Sequence, residues 1–191
     1  MKDKILIIDD EKINRKRLYD ILGTDYNIIE ATNGPEGLEI IREYEDEILA
    51  VLLALVMPDM SGLMVVDVMR KEKFLSKIPV VMISGENDTD IEEVCLEKGC
   101  AEFIVKPFKA NIIKKRVNNV INSNIYCKQL EEQVEKQTKK LVDQYDKLKL
   151  LLHNGKSEIP LFLTAIANIY QLLKDGSLIL YLRSSPFAPV N

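Results

Sequence analysis

The feature that most limits what this chain can fold into is an alternation: short runs of β-branched and leucine residues recur between longer amphipathic stretches. Ile5 to Ile8, Tyr26 to Glu30, Val51 to Leu55, Val80 to Ser84 and Phe103 to Val105 are apolar and short enough for strands. Between them, Lys12 to Leu22, Pro35 to Tyr44, Ser61 to Lys71 and Thr89 to Lys98 read as helices, and another follows Lys109. Asn33-Gly34 and Lys98-Gly99 punctuate the connections, with Gly99 placed where a helix C-cap favours a residue tolerant of positive φ. Strands apolar along their whole length are buried on both faces. The pattern therefore predicts an α/β chain with a doubly wound, five-stranded parallel sheet. Ligands of such sheets bind beyond the carboxyl ends of the strands, so the residues there decide function.

Asp9 and Asp10 leave the first run together. Acidic residues at a helix N-terminus favour its dipole, which is one reading. A pair of carboxylates leaving a buried strand also suits a hard cation such as Mg²⁺, which takes oxygen ligands and keeps several waters. The fourth run ends in Ser84-Gly85, either a turn or a hydroxyl able to donate to a phosphoryl oxygen. The fifth ends in Lys106-Pro107. A lysine at the end of a buried strand, followed by a proline that stops the ladder, is poorly explained as a solvated surface charge.

The acidic pair in "ILIIDDE", then "LVMPDMSG", "VVMISG" and "AEFIVKPF", in this order and spacing, resemble the receiver domain of bacterial response regulators, the phosphoacceptor half of two-component signalling. The resemblance covers residues 1–122 and implies a flavodoxin-like receiver fold. It further implies that Asp9, Asp10 and the backbone carbonyl of Val56 ligate Mg²⁺, and that Ser84 and Lys106 contact the phosphoryl group. Ser84 and Phe103 fall at the family's switch positions, although Phe103 reads equally well as core.

One position departs from the pattern. Where the family carries its phosphoacceptor aspartate, this chain has Ala54. Phosphorylation needs a carboxylate oxygen as nucleophile, and a methyl group has no lone pair to offer. Position 54 as written accepts no phosphoryl group, and Mg²⁺ binding is expected to weaken with one ligand gone. The same loss removes negative charge expected to hold Lys106 at the site. Asp59 follows Pro58 in the loop at a variable position of the motif and is a poor substitute. Two origins fit: a natural pseudo-receiver that signals by binding, or an engineered or sporadic substitution in an otherwise complete site.

From Ala110 to about Leu152 there is neither proline nor glycine, and the sequence "KQLEEQVEKQTKKLVDQYDKLKLLL" reads as part of one long helix. With Cys127, Val134, Leu141 and Leu148 at a, and Leu130, Gln137, Gln144 and Leu151 at d, it forms an imperfect heptad seam. The expectation is a coiled-coil signalling helix that makes a parallel homodimer through residues 110–152. The expected organisation is a receiver domain at 1–122, a signalling helix at 123–152 and a short tail at 153–191. The tail has an amphipathic stretch from Pro160 to Lys174 and an apolar "SLILYLR". It carries no assignable function, and the lone His153 reads as a cap or surface residue.

Composition closes off other classes. A net charge of -4 gives no electrostatic reason to expect DNA or an anionic membrane as partner. No basic recognition helix is evident for a transcription factor. The longest apolar run, Ile48 to Met57, is too short to span a bilayer, and the first residues lack a secretory h-region, so a cytoplasmic chain is expected. Cys95, Cys100 and Cys127 show no CxxC spacing and read as buried or inert thiols. A single histidine cannot supply the metal ligands of a cyclic-nucleotide phosphodiesterase, and the diguanylate cyclase signature Gly-Gly-Glu-Glu-Phe is absent. The expectation is a non-enzymatic receiver module that works through protein contacts, with a sensor histidine kinase or another signalling protein as partner. The alternative is the regulatory receiver of a larger phosphodiesterase-type or transcriptional response regulator.

Overall fold

The computed structural model describes residues 3–85, 89–107 and 109–153, and the side chains of all of these except residues 89 and 148–153. The tail stretches Pro160 to Lys174 and "SLILYLR" lie outside the described residues. The chain divides into two compact units, Met1–Cys127 and Lys128–Asn191.

Strands and helices alternate as β1 (Lys4–Ile8), α1 (Lys12–Leu22), β2 (Asn27–Ala31), α2 (Gly34–Tyr44), β3 (Ile48–Ala54), α3 (Gly62–Lys71), β4 (Val80–Ser84), α4 (Thr89–Glu97), β5 (Glu102–Val105) and α5 (Ala110–His153). The strands form one parallel sheet in the order β2-β1-β3-β4-β5. This is the expected doubly wound fold. β3 begins at Ile48 rather than Val51 and ends at Ala54 rather than Leu55. Leu55 stays buried, but its N–H bonds the Ile83 carbonyl and its own carbonyl accepts from the Gly62 N–H, so it has left the ladder for the turn.

Successive strand residues point to opposite faces, and this splits the interior into two cores. On one face Leu6, Ile8, Val51, Leu53 and Met82 pack against Leu38 and Ile41 of α2, Val65 and Met69 of α3, and Cys95 of α4. On the other, Ile5, Ile7, Leu52, Val81, Ile83 and Ile104 pack against Leu18 and Leu22 of α1 and Ile113, Val117 and Ile121 of α5. Apolar side chains are thus required on both sides of β1, β3 and β4.

The helix starts follow capping chemistry. Asn33 accepts from the Glu36 N–H at 2.9 Å, and the Glu36 carboxylate reaches back to the Thr32 hydroxyl and N–H. Those two bonds, the hydroxyl's first, hold the Glu36 carboxyl below its usual range. Ser61, expected as the first helical residue, caps α3 instead. α4 closes at Gly99 with φ of 92°, the left-handed conformation anticipated for that glycine. Cys95 and Cys100 are buried, and burial pushes the Cys100 thiol up to about 12. Cys127, by contrast, is exposed on α5. Among the described residues no helix is long and apolar enough to cross a membrane.

Candidate functional site at the carboxyl ends of the strands

Strand register brings the candidate residues to one edge. Ile8 of β1 lies opposite Leu53 of β3, so Asp9 comes level with Ala54. Ala54 lies opposite Ile83 of β4, so Ser84 follows at the same edge. Ser84 lies opposite Val105 of β5, and Lys106 comes next, its N–H bonding the Ser84 carbonyl at 2.7 Å. The parallel sheet alone gathers Asp9, Ala54, Ser84 and Lys106 from segments far apart in the chain.

Asp9 is the centre of this edge. It is 1% exposed, and a buried carboxylate is costly unless it is paired or hydrogen-bonded. Its Oδ1 accepts from the Glu11 N–H at 2.9 Å and from Asn14 Nδ2 at 3.0 Å, while its Oδ2 faces Lys106 Nζ at 3.1 Å. The first of these bonds stands in for a cap on α1, where Glu11 makes no side-chain cap of its own. Asp10, by contrast, is exposed. Val56 turns its side chain outward at 71% exposure, so only its backbone is in question as a ligand. Phe103 is 3% exposed and packs in the core on the α2–α4 side of the sheet.

Ala54 is 4% exposed. The chain turns back tightly just after it: a Cβ on Gly62 would lie 2.5 Å from the Ala54 carbonyl oxygen, so that position requires glycine. Lys106 keeps an ionic partner despite the alanine. Loss of a carboxylate at 54 is expected to loosen this lysine; Asp9 holds it instead. The ammonium reaches across from β5 to a carboxylate that is itself fixed by α1.

Three contributors escape local sequence reading. Arg15, 8% exposed, donates through Nη1 to the backbone carbonyls of Asp9 at 2.8 Å and Asp10 at 3.1 Å. Its Nε pairs with Glu30 Oε2 at 2.9 Å, at the end of β2. Asn14 completes the set. A signal for Arg15 does exist: with Leu18 and Leu22 it occupies the inward stripe of α1, an unusual place for a guanidinium. Glu30 and Asn14 carry no such mark.

Chemically, the edge offers two carboxylates, one buried hydroxyl and one ammonium. Among the described residues no group of three or more His, Cys, Asp or Glu gathers to hold a metal. A cation here would draw on two carboxylates at most, with backbone carbonyl and water making up its shell. Mg²⁺ accepts one or two carboxylates with retained waters, so this sparse donor set fits it.

Known proteins are similar to this chain. A probable cyclic di-GMP phosphodiesterase of Vibrio cholerae is 32% identical over 114 residues, covering 60% of this chain and 25% of the relative. A probable transcriptional regulator, ycf27 of Porphyridium aerugineum, is 35% identical over 123 residues, covering 63% of this chain and 48% of the relative. The chain thus spans less than half the length of these curated relatives. Among solved structures, the CheX-CheY-BeF3-Mg²⁺ complex of Borrelia burgdorferi matches with a TM-score of 0.57 and 31% identity, covering 62% of this chain and 88% of that one. The profile of the response regulator receiver domain matches residues 5–118. With the fold, the strand-end edge and this match agreeing, the chain belongs to the response regulator receiver domain family of two-component signalling.

Proposed function

We propose that this chain is a receiver module that takes no phosphoryl group at its acceptor position, Ala54, and acts in signalling through protein–protein contacts in the cytoplasm. The observation that supports this reading is the place of Ala54: a buried methyl at the end of β3, in register with Asp9, Ser84 and Lys106. Asp9, Asp10 and the Val56 carbonyl would hold Mg²⁺, weakly, and the cation when bound would supply charge neutralisation for phosphoryl oxygens. Ser84 and Lys106 would contact that group's oxygens, and Ser84 with Phe103 would form the switch. Without a carboxylate at 54 there is no nucleophile for these residues to serve.

The test is intact mass after incubation with acetyl phosphate and Mg²⁺. The chain should keep its mass, while Ala54→Asp should gain one phosphoryl group. A stable acyl phosphate on the unaltered chain, at Asp59 or elsewhere, would overturn the reading.

Partners would be a sensor histidine kinase or another signalling protein; the Borrelia burgdorferi CheY neighbour is seen with one protein partner, CheX. The heptad seam of α5 supports a parallel homodimer through residues 110–152, because Leu130 (52% exposed), Val134 and Leu141 form an apolar stripe facing water. Sedimentation equilibrium of the full chain should show dimers that Val134→Asp with Leu141→Asp abolishes; a monomer at high micromolar concentration would remove the seam as an interface. A second reading rests on the share of the relatives that is matched: this chain would be the regulatory receiver of a larger phosphodiesterase-type or transcriptional regulator, as in the relatives above.

A further inference from the structure

Cys95 and Cys100 are brought together by the way α4 ends. The Gly99 N–H bonds the Leu96 carbonyl at 2.9 Å and the Cys100 N–H bonds the Cys95 carbonyl at 3.0 Å, around the positive φ of Gly99. This nested pair of bonds is a Schellman motif, whose two outer residues commonly meet in an apolar contact. Here both outer residues are cysteines, and both are buried. An N–H···O bond of this length between the two backbones keeps their Cα atoms less than about 7 Å apart, within reach of a disulfide. Burial raises both thiols, and a hydrogen bond between them lowers Cys95 and raises Cys100 further, the pattern of a Cys100 S–H donating to the Cys95 sulfur. Beyond the cap, exposed contacts tie the end of α4 to α3: Arg70 Nη2 to the Glu97 carbonyl at 3.2 Å and Lys98 Nζ to Asp67 Oδ1 at 2.5 Å.

We propose that Cys95 and Cys100 are a dithiol site that a hydroperoxide oxidises to a disulfide across the C-terminal cap of α4. The thiols supply two electrons, and the peroxide O–O bond takes them. One thiolate attacks the terminal peroxide oxygen, the O–O bond breaks, and the departing alkoxide takes up the proton that the thiol released. That sulfur is left as a sulfenic acid. The second thiol then attacks it, the S–S bond forms, and the hydroxyl leaves with the remaining thiol proton as water. Two thiols and one hydroperoxide become one disulfide, one alcohol and one water. Burial keeps the closed pair slow, because the thiolate is the reacting form. The reaction therefore runs through opening of the last turn of α4, a helix end held by its cap and by exposed contacts. The product fastens that turn to Cys100, whose neighbour Ala101 bonds the Val80 carbonyl at the start of β4. Oxidation thus ties the end of α4 to the start of β5, independently of position 54 and of any cation at the strand ends.

Hydrogen peroxide treatment of the folded full chain, followed by proteolysis without reductant, tests this. Cleavage after Lys98 separates the two cysteines, so the disulfide should appear as two peptides joined through Cys95 and Cys100, which dithiothreitol releases. Neither Cys95→Ala nor Cys100→Ala should give that product. Cys127→Ser, which removes the exposed thiol, should give it undiminished. A second readout is amide hydrogen exchange on the unaltered chain: after oxidation the Gly99 and Cys100 N–H groups should exchange slower by about tenfold or more, because the crosslink opposes opening of the cap. Thiols that stay free under peroxide in the folded chain yet join in urea, linkage of either cysteine to Cys127 instead, or faster exchange at Gly99 and Cys100 after oxidation would each overturn the proposal. The exchange measurement needs no variant, so a folding defect in either alanine form leaves it decisive.

Discussion

α5 contains two apolar stripes that look alike in sequence and behave differently. Ile113, Val117 and Ile121, spaced four apart, are 0%, 0% and 3% exposed and belong to the core on the α1 side of the sheet. Leu130, Val134 and Leu141, farther along, are 52%, 38% and 57% exposed. Helical periodicity announces that a face exists; it does not say what covers it. In the first stretch the covering surface is the sheet, already formed by strands with apolar residues on both sides. In the second, charged and amide residues surround a narrow, exposed seam with polar Gln137 and Gln144 in it, the stretch on which the proposed dimer rests.

Three substitutions probe this contrast in order of effect. Leu52→Ala, in the fully buried centre of β3, should lower unfolding free energy by about 3 kcal/mol in urea titration, the usual result of leaving a cavity in a packed core. A loss below about 1 kcal/mol would mean that the sheet relaxes around the gap and the two regions differ less than their exposures suggest. Arg15→Met, which keeps the bulk but drops the bonds to the Asp9 and Asp10 carbonyls and to Glu30, should lose about 2 kcal/mol. The same titration checks it, and an unchanged midpoint would make the guanidinium dispensable. Leu141→Ala should change stability by no more than about 0.5 kcal/mol when measured at protein concentrations too low for association. A core-sized loss under those conditions would show that its stripe is covered within its own chain.

The fold was readable because its rule is local. The central strands β3 and β4 and most of β1 are continuous apolar runs, each helix has its stripe, and Asn33, Ser61 and Gly99 mark the joints by chemistry of their own. Strand boundaries moved by one residue at the starts of β1 and β5 and at both ends of β2, and most at β3, where nothing in composition separates a ladder residue from a buried turn residue such as Leu55. At the strand ends, Asp9, Ser84 and Lys106 could be named from their positions after buried runs. The Asp9–Lys106 pair could not, since it joins residues 97 apart through two intervening strands whose register is a property of the sheet. The Arg15–Glu30 link hides for the same reason: the inward stripe of α1 marks Arg15, but nothing local marks Glu30 on its edge strand as the partner until β1 and β2 lie side by side.

The strand order carries a consequence for how the protein is made. β1 leaves the ribosome first yet sits inside the sheet, between β2 and β3, with Ile5 to Ile8 wholly buried. β2 can pair with it early, and β3 closes its other side; β4 and β5 then add one after another to the same growing edge. Growth in that direction gives each new strand a finished neighbour to bind. The hazard falls on a pause or truncation between β4 and β5. It would present β4, five residues buried throughout and apolar up to Ser84, as an open edge able to capture a strand from another nascent chain. The short β5, with its half-exposed ends, is the piece that closes that edge and leaves β4 between two neighbours.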